Sequence, residues 1–132
     1  MKRNPSKTSG FSLVEVLAAV AIIGILVFIA IPNVVQSRRD AEENFAIGRA
    51  EALNSAISQY IQANGRANAG SSWTGASNDG AKFDLVKGYL AYAPTQLSDY
   101  VPTGYIYTMP ATPDGRVDIK RQNGQAQDPI YY

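Results

Sequence analysis

The chain has 132 residues, and its 12 lysines and arginines against 11 aspartates and glutamates give a net charge of +1. Such a balance provides no general attraction to nucleic acid or to acidic substrates. The sequence contains no cysteine and no histidine. Disulfides, thiol catalysis and thiolate metal sites are therefore excluded, and the commonest general base and metal ligand is missing. This composition argues against an enzyme, and we expect no cofactor and no metal.

The first elements in the chain are a basic leader and a long apolar run. Residues 1–10 carry lysine and arginine side chains and no acid, whereas residues 11–31 carry a single charge, Glu15. As a helix, residues 11–31 would extend roughly 31 Å at about 1.5 Å per residue, which is close to the thickness of a bilayer's hydrocarbon core. The sequence therefore predicts one transmembrane helix with a cytoplasmic leader.

Two simpler readings of this segment explain less. A secretory signal peptide would have its small-residue cleavage site after the apolar run, where residues 30–33 (AIPN) fit poorly. A plain membrane anchor explains the length but not Glu15, because an ionised side chain costs on the order of 2.5–3.5 kcal/mol near hydrocarbon. Glu15 is therefore a candidate functional residue. The Gly10-Phe11 bond just before it is a candidate processing site, whose cleavage would create a cationic amine.

Residues 10–17 (GFSLVEVL), followed by residues 21–26 (AIIGIL) and 30–33 (AIPN), resemble the amino-terminal signature of type IV pilin-like proteins. That class includes pilus subunits, competence pilins and the pseudopilins of type II secretion systems. The resemblance covers about the first third of the chain. Beyond it, only the layout is shared, a long helix followed by a small sheet domain.

The resemblance implies roles for five residues. A prepilin peptidase would cut after Gly10 and methylate the new amino terminus at Phe11. Assembly would depend on Glu15, and on a loosening of the helix between Gly24 and Pro32. Glycine frees the backbone and proline removes a hydrogen-bond donor, so the residues themselves also predict a weak stretch there, with a bend near Phe28.

From these observations we expect a structural subunit that is held in the bacterial inner membrane and polymerises into a periplasmic or surface filament. The implied partners are further copies of the chain, other pilins or pseudopilins, the prepilin peptidase and an assembly platform membrane protein, with no nucleic acid. The sequence leaves open whether the filament is a type IV pilus or a type II secretion pseudopilus. The alternative from another class is a monomeric, single-span, membrane-anchored binding module.

Residues 32–64 continue the helix with a different pattern. Apolar residues recur at spacings of three and four, which predicts an amphipathic continuation of one helix from Ser12 to about Asn64. Asn64-Gly65 is a typical carboxy-terminal stop. The charges are spaced for pairs across one helical turn, namely Arg38 with Glu42 and Arg39 with Glu43.

Residues 65–132 predict a small globular domain. Residues 65–80 are rich in glycine, serine and asparagine and predict an exposed loop, in which Trp73 would pin the loop to the helix. A short helix is predicted for residues 82–92, with another turn between Thr95 and Tyr100. Turn and β-prone residues then predict three strands, at residues 104–109, 117–120 and 130–132. The fold class is α+β, with a long amino-terminal helix packed on a small antiparallel β-meander.

Two groups in the carboxy-terminal region are candidate binding sites. The basic cluster Arg116, Lys120 and Arg121 is interpreted as a solvated strand edge rather than a nucleic-acid site, because Asp118 lies on the same face. The second group is three aspartates, Asp114, Asp118 and Asp128. Their spacing is not that of a calcium loop, and hard cations need six or more oxygens, so no calcium site is predicted.

Overall fold

The computed structural model describes residues 10–123 and 126–132. The first element is the helix α1 (Leu13–Asn64). Internal contacts divide the chain into a unit ending at Asp40 and a second unit, Ala41–Tyr132, to which the last turns of α1 belong. The second unit continues with α2 (Arg66–Gly75), α3 (Asp79–Val86), a 3-10 turn (Lys87–Tyr89), α4 (Leu97–Tyr100), β1 (Tyr105–Thr108), β2 (Asp118–Asn123) and β3 (Ala126–Ile130).

The predicted end of the long helix is confirmed. α1 ends at Asn64, and Gly65 follows with φ of 77°. Glycine adopts this left-handed conformation without the steric cost that a Cβ would bring, so the chain can turn sharply there. α1 begins at Leu13, one residue later than predicted.

The predicted loop at residues 65–80 is wrong over most of its length, because Arg66–Gly75 forms α2. Ala69 and Trp73, one helical turn apart, are fully buried in the core. The Trp73 indole N–H donates to the Pro110 carbonyl at 2.9 Å. This burial stabilises a helix whose glycines and serines disfavour it locally. Trp73 holds the segment in place as predicted, but the segment is helical.

The sheet is the predicted antiparallel meander, in the order β1-β2-β3. Tyr107 of β1 lies opposite Ile119 of β2, which lies opposite Ile130 of β3. Side chains alternate between faces along a strand, so these three share one face, and all three contribute to the core. Pro129 lies in β3, an edge strand, where its missing N–H costs no ladder bond within the sheet.

Hydrogen bonds join this face of the sheet to the second half of α1. The buried Tyr107 hydroxyl donates to the Ala46 carbonyl at 2.6 Å. Asn54 makes two links, since its Oδ1 accepts from the Val117 N–H at 2.9 Å and its Nδ2 donates to the Tyr132 hydroxyl at 3.3 Å. The amphipathic face of α1 therefore packs on the sheet, as the α+β prediction requires.

The basic cluster differs from the prediction. Two of its members form ion pairs with carboxylates of α1, Arg116 with Glu51 and Arg121 with Glu43. Arg121 lies in β2, which is the central strand, so the predicted solvated strand edge is wrong. Each ion pair places a carboxylate beside one of the guanidinium groups, so the net positive charge of the cluster is reduced.

Asp114, Asp118 and Asp128 are not gathered around a common point within the described residues. Asp114 pairs with Arg66 of α2 instead. Within residues 10–123 and 126–132, no three acidic side chains come together in a group that could hold a metal ion. The arrangement therefore offers no observation in favour of calcium.

We expect Trp73→Ala to lower the free energy of unfolding by about 3–5 kcal/mol, because the substitution leaves a large cavity in the core. Trp73→Phe keeps most of the ring and removes the bond to Pro110, so it should cost about 1–2 kcal/mol. Pulse proteolysis of the full chain in mild detergent over a urea series measures both. Tyr92→Ala is the control, since this side chain is 95% exposed. If Trp73→Ala and Tyr92→Ala changed the free energy of unfolding equally, Trp73 would not be the core residue described here.

The buried tyrosines predict a loss of stability at alkaline pH. Burial, with a smaller contribution from Tyr100, raises the pKa of Tyr107 above its usual value. The unfolded phenol ionises near pH ~10 while the folded one stays neutral, so its contribution to stability is complete below that pH and decreases above it. Tyr107→Phe should flatten the decrease in urea midpoint between about pH 9 and about pH 11. An unchanged slope would contradict this.

Candidate functional site

The candidate processing junction lies immediately before α1. Gly10 is exposed, and a Cβ built on it would meet nothing within 4 Å. Phe11 is 91% exposed. The bond between them lies outside any helix or strand and is sterically open. The other leader residues, 1–9, which include the predicted cytoplasmic charges, lie outside the described residues.

Glu15 lies in the first turn of α1, and its carboxylate has a local partner. The Oε2 atom accepts a hydrogen bond from the Ser12 backbone N–H at 2.9 Å. That N–H is one of the donors that a helix start leaves without an intrahelical acceptor. The bond is half of a capping box, in which a residue three positions into the helix reaches back to the N-cap.

Sequence reasoning missed this bond, although its signal was visible. Ser12 and Glu15 have the S-x-x-E spacing of a capping box, immediately before an apolar run. Among the residues that the structure describes, the carboxylate therefore has a hydrogen-bond donor but no cationic partner. Its charge remains available to a positive group, because one hydrogen bond leaves most of a carboxylate's acceptor capacity unused.

The first part of α1 exposes a continuous apolar surface. Its large apolar side chains from Phe11 to Val35 are each at least 49% exposed. Monomeric soluble proteins rarely expose more than a few hundred Å² of contiguous apolar surface, so such a surface indicates contact with lipid or protein. Within the described ranges, α1 is the one helix long and apolar enough to cross a membrane.

Gly24 and Pro32 both lie inside α1, and the helix continues through both residues. A Cβ built on Gly24 would meet nothing within 4 Å, so its missing side chain is not required by packing within the chain. Pro32 has no N–H, so the Phe28 carbonyl lacks its usual donor four residues on. The bend near Phe28 remains a prediction.

The charges that follow the apolar surface are arranged differently from the prediction. Neither helical pair, Arg38 with Glu42 or Arg39 with Glu43, occurs among the ion pairs of the described residues. Glu43 instead pairs with Arg121. Asp40 accepts a hydrogen bond from the Gln36 side chain at 2.8 Å. Glu43 therefore has a partner distant in sequence, and Asp40 has a neighbouring amide as its partner.

Comparisons with known proteins agree with this geometry. Residues 5–31 match the family of the prokaryotic N-terminal methylation motif, a span that includes Gly10, Phe11, Glu15 and Gly24 and ends one residue before Pro32. The motif thus overlaps the first, exposed apolar part of α1. The chain therefore carries the prokaryotic N-terminal methylation motif.

Three similar proteins are core proteins G of type II secretion systems. The type II secretion system core protein G of Escherichia coli (strain K12) is 28% identical over 113 residues, which cover 86% of this chain and 71% of that protein. That of Aeromonas hydrophila is 33% identical over 60 residues, 46% of this chain and 42% of the relative. That of Dickeya chrysanthemi is 28% identical over 106 residues, 80% of this chain and 63% of the relative. No solved structure matches the chain.

Proposed function

We propose that this chain, with its type IV pilin-like amino terminus, is a structural subunit of a type II secretion pseudopilus. It is stored in the inner membrane, cleaved between Gly10 and Phe11, methylated on Phe11, and polymerised through α1. The observation that carries the proposal is the exposed apolar surface between Phe11 and Val35, which starts at the methylation motif. The similarity to type II secretion core proteins G supports a pseudopilus rather than a pilus.

The apolar surface supports both states in the proposal. In the membrane, lipid tails would cover it. In a filament, the same surfaces of neighbouring copies would cover each other, so little apolar area would meet water in either state. A monomeric binding module would need only the first state.

Glu15 gives the assembly step its specificity. Cleavage after Gly10 creates an ammonium group on Phe11, and methylation keeps that charge. Its positive charge suits the carboxylate of a Glu15 already in the filament, and such a pair would set the axial position of the incoming subunit. Within one chain, the Ser12 N–H satisfies part of the carboxylate until then.

The stretch from Gly24 to Pro32 would accommodate packing in the filament. Pro32→Ala restores an N–H donor to the Phe28 carbonyl and stiffens α1 there. We expect a subunit that is stable and processed but polymerises several-fold less, as measured by sheared filament yield. Pro94→Ala in the globular unit is the matched control. Wild-type filament yield and stiffness in Pro32→Ala would contradict a role for this stretch.

Crosslinking in membranes separates the filament subunit from a monomeric binding module. With the secretion system expressed, a filament subunit gives a ladder of multimers, whereas an anchored module stays monomeric. The second unit holds an open groove of about 640 Å³ beside β1. Its one acidic lining residue, Asp84, already pairs with Lys87 at 2.7 Å. This groove has no converging set of charged groups that would favour a dedicated ligand site.

A further inference from the structure

The two arginines that follow the apolar surface have no role in the proposed assembly. Arg38 and Arg39 lie in the part of α1 before the globular unit, and both are exposed. Neither forms an ion pair within residues 10–123 and 126–132. Two adjacent guanidinium groups without acidic partners, directly after a membrane-length apolar run, suggest an anionic ligand at the membrane surface.

Two of the three acids in the next helical turn are engaged by other groups. Asp40 accepts from Gln36, and Glu43 pairs with Arg121. Burial, with a smaller contribution from the charge of Glu42, raises the pKa of the Tyr105 phenol. None of the three acids forms an ion pair with Arg38 or Arg39 within the described residues.

The spacing along α1 places the arginines at the depth of lipid headgroups. Glu15 and Arg38 are 23 positions apart in the sequence. At about 1.5 Å per residue this is roughly 35 Å of helix. The hydrocarbon core measures about 30 Å, and the bilayer with its headgroups about 40–45 Å. When Ile23, the middle of the apolar surface, lies at the membrane midplane, Arg38 is 15 positions away, which at about 1.5 Å per residue is roughly 22 Å and therefore the outer part of the headgroup layer. Glu15 is then roughly 12 Å from the midplane and stays within the hydrocarbon core.

The direction of helical side chains brings the guanidinium groups closer to the phosphates. Side chains on an α-helix lean toward its amino terminus, which for Arg38 and Arg39 is toward the membrane. Long basic side chains at the end of a span commonly extend along the helix in this way and keep the charge at the interface. The planar guanidinium binds phosphate oxygens through two parallel hydrogen bonds.

We propose that Arg38 and Arg39 bind the phosphates of anionic phospholipids in the leaflet opposite the leader and hold the stored subunit at a defined depth. This inference rests on the membrane-storage step of the proposed function and not on polymerisation. It adds a lipid site to the free subunit. The subunit must release the lipid when it enters a filament.

Native mass spectrometry of the full chain in detergent micelles, titrated with phosphatidylglycerol, tests the site. An arginine near anionic lipid contributes about fivefold in affinity, so Arg38→Gln with Arg39→Gln should weaken binding about 25-fold. Replacing both with lysine keeps the charge but removes the paired hydrogen bonds, so binding should fall between that of the wild type and that of the double glutamine variant. Arg66→Gln removes an exposed arginine of the globular unit and should leave binding unchanged.

The lipid site would be overturned if the double glutamine variant bound phosphatidylglycerol as tightly as the wild type does. If that variant also gave fewer crosslinked dimers in membranes, the arginines would contact a second copy of the chain instead of lipid.

A separate measurement tests membrane storage. Because the chain has no cysteine, Ile23→Cys carries a single thiol, and its rapid labelling in vesicles by a membrane-impermeant maleimide would overturn storage in the membrane itself.

Discussion

Glu15→Val should abolish polymerisation while leaving expression and processing intact. The substitution removes a carboxylate that, in the proposed filament, would pair with the ammonium of Phe11 away from water. Removing one partner of such a desolvated pair costs about 3–5 kcal/mol, or on the order of a hundredfold or more in association. Sheared filament yield and membrane crosslinking measure the loss. In cells expressing both proteins, the variant should enter wild-type filaments poorly.

A second substitution separates this role from the capping bond found in the structure. Glu15→Gln keeps an oxygen that can accept from the Ser12 N–H, but it removes the charge. If Glu15 acts by charge pairing, Glu15→Gln should fail to polymerise as Glu15→Val does. If Glu15 only closes the start of α1, Glu15→Gln should build filaments normally. Normal filaments from both variants would refute either role in assembly.

Gly10→Leu should leave the whole leader on the protein. The residue before the cut must be small, and Gly10 is sterically open with nothing near a built Cβ. Intact-mass analysis should find the native protein shortened by residues 1–10 and carrying one added methyl group, whereas Gly10→Leu should keep its full length. Without a free amine on Phe11, this variant should also fail to polymerise.

The matched control for this experiment is Gly24→Ala. It also adds a side chain in place of a glycine with open space around it, but inside α1 and far from the junction. Its processing should be normal. Met1 on wild-type protein that is assembled into filaments would show that the junction at Gly10-Phe11 is not cut.

Much of the fold could be predicted because its signals are local. The length and hydropathy of the apolar run predict α1, and glycine at position 65 predicts where it ends. Turn residues between β-prone segments predict the order and antiparallel pairing of the strands, since short connections place consecutive strands side by side. The candidate site could be named for the same reason, because Gly10, Phe11 and Glu15 lie within six consecutive residues, and the roles of these residues stay predictions. The bond from Ser12 to Glu15 could also have been read from their spacing.

The tertiary structure decided what depends on partners distant in sequence. Residues 66–75 have a loop-like composition, and they are helical because Ala69 and Trp73 are buried in a core completed by the sheet. Glu43 pairs with Arg121 of β2 rather than with the arginine one turn before it. Exposed pairs within one helix contribute only about 0.2–0.5 kcal/mol, so a partly buried partner supplied by the fold can replace them. Because Glu43 is engaged by Arg121, Arg39 has no acidic partner among the described residues, and this became visible only once the sheet was in place.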